Sequence, residues 1–175
     1  MTEQEELGIL DSLEKGPVAL LEALSGVTGE LAQRTPGPEK WSILECVEHV
    51  ALSEDYLFSR ILAADQADSP LLDEAREARI VARGVDRSRP AKAPEVACPR
   101  GTFLTLQDAV QHLLASRERT VQFTRDHARE DLRCRITSVP PFGAVNCYEV
   151  LLLMAAHLFR HAKQMDEIKA VFKQS

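Results

Sequence analysis

The chain has 175 residues, 45% of them hydrophobic and 27% charged, with a formal net charge of −6. That length suits one domain, residues 1–175, able to bury a sizeable core. The acidity argues against nucleic acid as a partner, because phosphate binding needs a basic face.

No apolar run approaches the roughly 20 residues that a membrane-spanning helix needs. The opening stretch MTEQEELGIL is acidic and lacks the apolar core of a signal peptide. The four cysteines (Cys46, Cys98, Cys134 and Cys147) show no C-x-x-C spacing and are too sparse for a disulfide scaffold. A cytoplasmic, reducing setting is expected.

Alanine and leucine are abundant and aromatic residues make up only 5%, which favours helices. Leu10, Leu13, Leu20, Leu21 and Leu24 keep a three-to-four spacing that predicts a first helix, with a kink or restart expected at Pro17. SGVTGELAQRTPGPEK follows and reads as a short helical turn and a loop, since its glycines and prolines break any continuous helix.

A second helix opens at WSILE. Ser42 and Glu45 are spaced as a capping box, and apolar positions from Ile43 to Leu62 carry the helix to about residue 64. About forty residues then separate it from a third helix, expected at 105–127. That connection is too long for a tight turn. It has room for a short helix at about 71–83 and can return the chain to the starting end of a bundle, so that helices two and three run parallel. Its arginines at 76, 79, 83, 87 and 89 alternate with acidic residues and read as a solvated, salt-bridged segment rather than a ligand patch. A last helix is expected from near Val145, after VPPFG, to about Val171. The fold expected is all-α, a four-helix bundle with a long crossover between helices two and three.

The last helix carries the motif of interest. In AAHLFRH, His157 and His161 stand one turn apart on the stripe that also holds Cys147, Val150, Met154, Gln164 and Ile168. Residues at i and i+4 stack on one face, so two imidazoles can reach one ion. The spacing alone is equally that of two hydrogen-bonded core histidines, and Leu158 after the first excludes the H-E-x-x-H zinc-protease motif.

His49, inside CVEHVAL on the second helix, changes the balance. It lies about two turns from that helix's start, and Cys46 and Ser53 beside it are small. Antiparallel packing of the second and last helices would bring three imidazoles together at one depth. Three neutral nitrogens with an open position suit Zn²⁺, Ni²⁺ or Fe²⁺. His112 and His127 sit among charged residues and are expected to face solvent.

KWSILECVEHVALSEDYL resembles the second helix of the DinB/YfiT-like superfamily, with its tryptophan-serine start and single histidine. PFGAVNCYEVLLLMAAHLFRHAKQMDEI is similar to that family's last helix, where a proline-glycine turn precedes H-x-x-x-H. The two segments make up about a quarter of the chain. The resemblance implies a four-helix bundle of up-down-down-up topology and a metal, usually zinc or nickel, on His49, His157 and His161. It implies homodimers in many members, and thiol-dependent S-transferases or isomerases that use mycothiol, bacillithiol or glutathione. A small-molecule substrate, with a low-molecular-weight thiol as partner, follows from it.

A bound cation lowers the pKa of a coordinated thiol or water, so either S-transfer or hydrolysis is open. The alternative is a non-catalytic bundle with a structural metal or none, acting as a dimeric binding or stress-response module. Around the histidines, Trp41 either walls a pocket or staples the start of the second helix. Cys46 and Cys147 are either further ligands and reactive thiols or small buried hydrophobes. Gln164 can orient a ligand or a water, and Arg160 can hold an anionic group or form a surface salt bridge. No carboxylate stands out as a general base.

Overall fold

The structure is a computed structural model and describes residues 3–88, 92–127 and 132–173. Four long helices dominate: α1 (Glu3–Ala23), α3 (Ile43–Leu62), α5 (Leu106–Asp126) and α6 (Cys147–Lys173). Two shorter ones, α2 (Gly29–Gln33) and α4 (Glu74–Val85), lie in the connections. Among the described residues, no helix is long and apolar enough to cross a membrane.

Local chemistry sets the helix starts. Ser42 accepts from the amide of Glu45 while the Glu45 carboxylate accepts from the amide of Ser42, closing the capping box read from sequence. Thr105 accepts from the amide of Asp108 at the start of α5. Asn146 and Glu149 exchange the same pair of side-chain-to-amide bonds at the start of α6.

Contacts between the long helices advance in a definite sense. Along α3 and α5, Glu54 pairs with Arg117, and Phe58 packs edge-on against Phe123 four and six residues farther on. Along α3 and α6 the order reverses: His49 meets His157, and Ile61 meets Cys147. Two apolar clusters form the core. One holds Leu13, Ile61, Leu151 and Met154, and the other Leu20, Val47, Leu113 and Met165.

Between the clusters lies a buried polar layer. Arg117 donates twice to the Glu54 carboxylate, at 2.8 and 2.7 Å, and Thr120 donates to the same group at 2.9 Å. The guanidinium also donates to the main-chain oxygens of Leu13 and Met154. The first of these explains how α1 runs unbroken through Pro17, against the expected restart. A proline lacks the N–H that would bond the carbonyl four residues back. That carbonyl is Leu13's, and Arg117 occupies it. Gly16 lets α1 press close to α6: a Cβ there would stand 3.1 Å from Cβ of Leu158.

The expected all-α class needs correction. A small antiparallel sheet of order β1-β2-β3 joins Asp65–Gln66, Arg135–Val139 and Gly143–Asn146. Ile136 faces Asn146 and Val139 faces Gly143 in register, and Gly143 supplies the positive φ of the turn. The β-branched residues Ile136, Thr137, Val139 and Val145 suit this pleated surface. Residues 145 and 146, expected to open the last helix, are its final strand.

Candidate metal centre

His49 sits mid-helix in α3, and His157 and His161 stand one turn apart on α6. Because the contacts between these helices run in opposite senses, their Nε2 atoms meet: His49 to His157 at 3.3 Å and His157 to His161 at 3.0 Å. One ligand atom from each lies within 4.8 Å of the other two, and this is the one such group of three among the described residues. His49 and His161 are buried, and His157 is half-buried.

Donor accounting favours a cation at the centre. Nδ1 of His49 lies 2.7 Å from the main-chain oxygen of Ala97, which only accepts. The proton of a neutral His49 therefore sits on Nδ1, and its Nε2 presents a lone pair. His157 has one Nε2 and two neighbours, so no placement of the remaining protons gives both close contacts a linear hydrogen bond of its own. Nδ1 of His161 is buried without a partner. An ion bonded to all three Nε2 atoms would turn converging lone pairs into ligands.

All three rings are held neutral. Burial is the chief cause, pushing the pKa values of His157 and His161 well below the usual histidine range, and the charge of Arg160 adds to it. For His49 burial again lowers the value; the bond to Ala97 opposes it in part, and Arg160 reinforces it. Neutral imidazoles are the form that binds metal.

The triad forms the floor of a cavity of about 870 Å³, bounded by α3, α4, α6, the segment before Ala97 and the β2–β3 turn. Trp41 lines it and lies 4.8 Å from His49, centroid to centroid. Gln164 lines it too, accepting from Arg87 at 3.1 Å. Cys46 and Cys147 do not line it, contrary to the pocket role considered for them. Each is fully buried in an apolar cluster, where burial pushes the thiols up to about 12 and about 11.

The arginine segment is salt-bridged as expected, through Arg76–Glu149, Arg79–Asp73 and Arg87–Glu167, and part of it also borders the cavity. Arg83 and Arg87 line the cavity, Arg76 reaches the main-chain oxygen of Ala144 and the Glu149 carboxylate, and Arg79 pairs with Asp73. Arg89 lies outside the described residues. Gly84 between the two cavity arginines brings α4 hard against α6, since a Cβ there would stand 2.6 Å from that of Ala156. His112 is exposed and pairs with Asp55. His127 is half-buried and stacks on Phe123 rather than facing solvent freely.

Glu48 precedes His49 and, from helix geometry, points about 100° away from it, so it is not expected as a base. It is buried and accepts from the amides of Arg100, Gly101 and Thr102, tying down the loop that delivers Ala97. Its position beside His49 was visible; its loop partners, more than fifty residues on, were not.

The sequence profile described as the DinB superfamily matches residues 12–165. The chain belongs to the DinB superfamily. One relative within reach of this DinB chain is the uncharacterised protein YuaE of Bacillus subtilis (strain 168). It is 27% identical over 146 residues, covering 83% of this chain and 88% of its own. Among solved structures, YfiT from Bacillus subtilis superposes with a TM-score of 0.63 at 14% identity, over 100% of this DinB chain and 91% of its own. YfiT is described as a probable metal-dependent hydrolase with an unusual four-helix bundle topology. At that identity the likeness speaks for the fold.

Proposed function

We propose that this chain is a metal-dependent enzyme that holds a divalent ion, zinc or nickel before iron, on Nε2 of His49, His157 and His161. One observation carries the reading: three imidazole nitrogens converge on the floor of an open cavity large enough for a small organic substrate. The description of YfiT and the family membership support it by analogy. The helix directions read from the contacts fit an up-down-down-up bundle.

A bound ion of this kind supplies a lowered pKa to water or thiol in its open position. The chain's own residues do the rest. Ala97 fixes the tautomer of His49, and burial keeps all three imidazoles unprotonated at neutral pH. Trp41 and the β2–β3 turn form part of the cavity wall, and Ser53 and Tyr56 offer hydroxyls from the α3 side. Among the described residues no cysteine lines the cavity, so in S-transfer the thiol is a second small molecule from solution. Thiol-dependent S-transfer and hydrolysis are the two reactions the site is built for. A homodimer in the cytoplasm belongs to the same proposal.

A structural metal would call for a closed site with four protein ligands. Here no fourth His, Cys, Asp or Glu among the described residues joins the group, and the cavity opens outward.

Elemental analysis of tag-free protein tests the reading. Wild type should carry close to one equivalent of zinc or nickel. His49→Ala and His161→Ala should lose it while far-UV circular dichroism stays helical. A wild type that stays empty after reconstitution with zinc, nickel and iron would sink it.

A further inference from the structure

Charge does not single out a ligand for this cavity, because Arg87 and Arg160 in its wall are already answered. Arg87 grips Glu167 at 2.6 Å and donates to Gln164 at 3.1 Å. Asp86 and Glu167 both act on Arg160. Two groups that stand open are neutral. Ser53 and Tyr56 line the cavity from α3, and among the described residues neither hydroxyl has a hydrogen-bond partner.

Ser53 is the deeper of the two, with only 6% of it exposed. A buried serine or threonine inside a helix can turn its hydroxyl back to the carbonyl one turn earlier. Thr120 and Thr124 do so on α5, to the main-chain oxygens of Ser116 and Thr120. Ser53 does not close that bond onto His49. Burying a hydroxyl without a partner costs free energy, and alanine would fill the space without that cost.

The place of Ser53 on the helix says where its hydroxyl serves. His49, Ser53 and Leu57 follow at four-residue steps and share one face of α3. Ser53 therefore stands between the triad and the apolar wall that Leu57 forms with Val139, Phe142 and Leu153. Tyr56, three residues on, brings a second hydroxyl to the same side.

We propose that Ser53 and Tyr56 are positioning residues that donate hydrogen bonds to the carbonyl oxygen of an uncharged substrate, whose apolar chain lies along Leu57, Val139, Phe142 and Leu153. A carbonyl oxygen only accepts and has two lone pairs, so it takes both donors at once. The assignment rests on the reading of the triad as the reactive centre, because it sets the carbonyl one turn from His49. Esters, thioesters and enones share that group, so it holds for hydrolysis and for S-transfer alike.

2-Heptanone and 2-methyl-1-heptene differ only in a carbonyl oxygen against a methylene of similar size. Ligand-detected NMR gives the affinity of each for wild type, Ser53→Ala, Ser53→Thr and Tyr56→Phe. Metal-free and zinc-loaded protein are both titrated, with metal content measured on the same samples. Ser53→Ala and Tyr56→Phe should each weaken ketone binding roughly threefold to tenfold, the scale of one neutral hydrogen bond. Alkene binding should stay unchanged. Ser53→Thr, which keeps a hydroxyl, should keep most of the ketone affinity. The infrared carbonyl band of the bound ketone should lie below its position in hexane and rise toward it when both hydroxyls are removed. Ser53→Ala should melt no lower than wild type, because its hydroxyl holds nothing in the fold.

Equal losses for ketone and alkene, or a lower melting temperature for Ser53→Ala, would show a packing role and overturn the proposal. So would no binding of the ketone, or ketone affinity and band position that ignore the variants with and without zinc. Failure of the metal reading looks different: protein that takes up no metal yet loses the ketone on Ser53→Ala keeps the carbonyl site and loses the metal centre.

Discussion

Glu48 stands beside a proposed metal ligand yet serves the loop. Burial alone would push its pKa up. The amides of Arg100, Thr102 and Gly101 outweigh this and hold the carboxyl below the usual glutamate range. A carboxylate whose pKa is lowered on folding contributes stability that is fully present above its unfolded value, about 4.3, and is lost as pH falls through the folded value. Glu48→Gln should therefore cost about 1.5–3 kcal/mol at pH 7, the range for hydrogen bonds to a charged group. It should also flatten the loss of stability below about pH 4 relative to wild type. Thermal melts from pH 3 to 7 check both; identical pH profiles for the two proteins would refute it. At this scale the sequence revealed His49, His157 and His161, because the i, i+4 spacing and the antiparallel register are local facts plus one packing assumption. It hid the partners of Glu48 and His49, because a main-chain amide or oxygen carries no residue-type signal.

The four long helices were legible because their apolar residues recur every three to four positions over five turns or more. The strands were not: β1, β2 and β3 have two, five and four residues, and a Pro-Pro pair at 140–141 separates the last two. Helix α4 and its ion pairs were legible, but not the cavity beside them. Arginines interleaved with acids look alike whether they face solvent or a wet cavity. At Pro17 no restart occurs, since its missing hydrogen bond is made good from another helix. That other helix offers a test. Arg117→Met leaves Glu54 buried and unpaired and should destabilise the fold by about 3–5 kcal/mol. Adding Glu54→Leu removes the stranded charge and should restore much of the loss. Denaturant unfolding of the two single variants and the double variant gives the coupling; strictly additive losses would show that the pair is not the unit.

Over the whole molecule, thiols are sorted by depth. The cysteines divide two and two. Cys46 and Cys147 are fully buried with raised pKa values, whereas Cys98 and Cys134 are half-buried. A thiol reagent such as Ellman's should label at most Cys98 and Cys134 in the native state and reach four only on unfolding. Rapid native labelling of Cys46 would contradict its place in the core. The bond from His49 to Ala97 O carries one more consequence. Any of the amino acids can supply a main-chain oxygen, so the exposed letters at 95 and 96 can drift in descendants of this gene while the number of residues from 95 to 99 cannot. Substitutions at the exposed Glu95 and Val96 should fall silent, while the fully buried Ala97 must stay small. A one-residue deletion would turn the carbonyl away and free the imidazole it steers, so heredity guards the loop by its length.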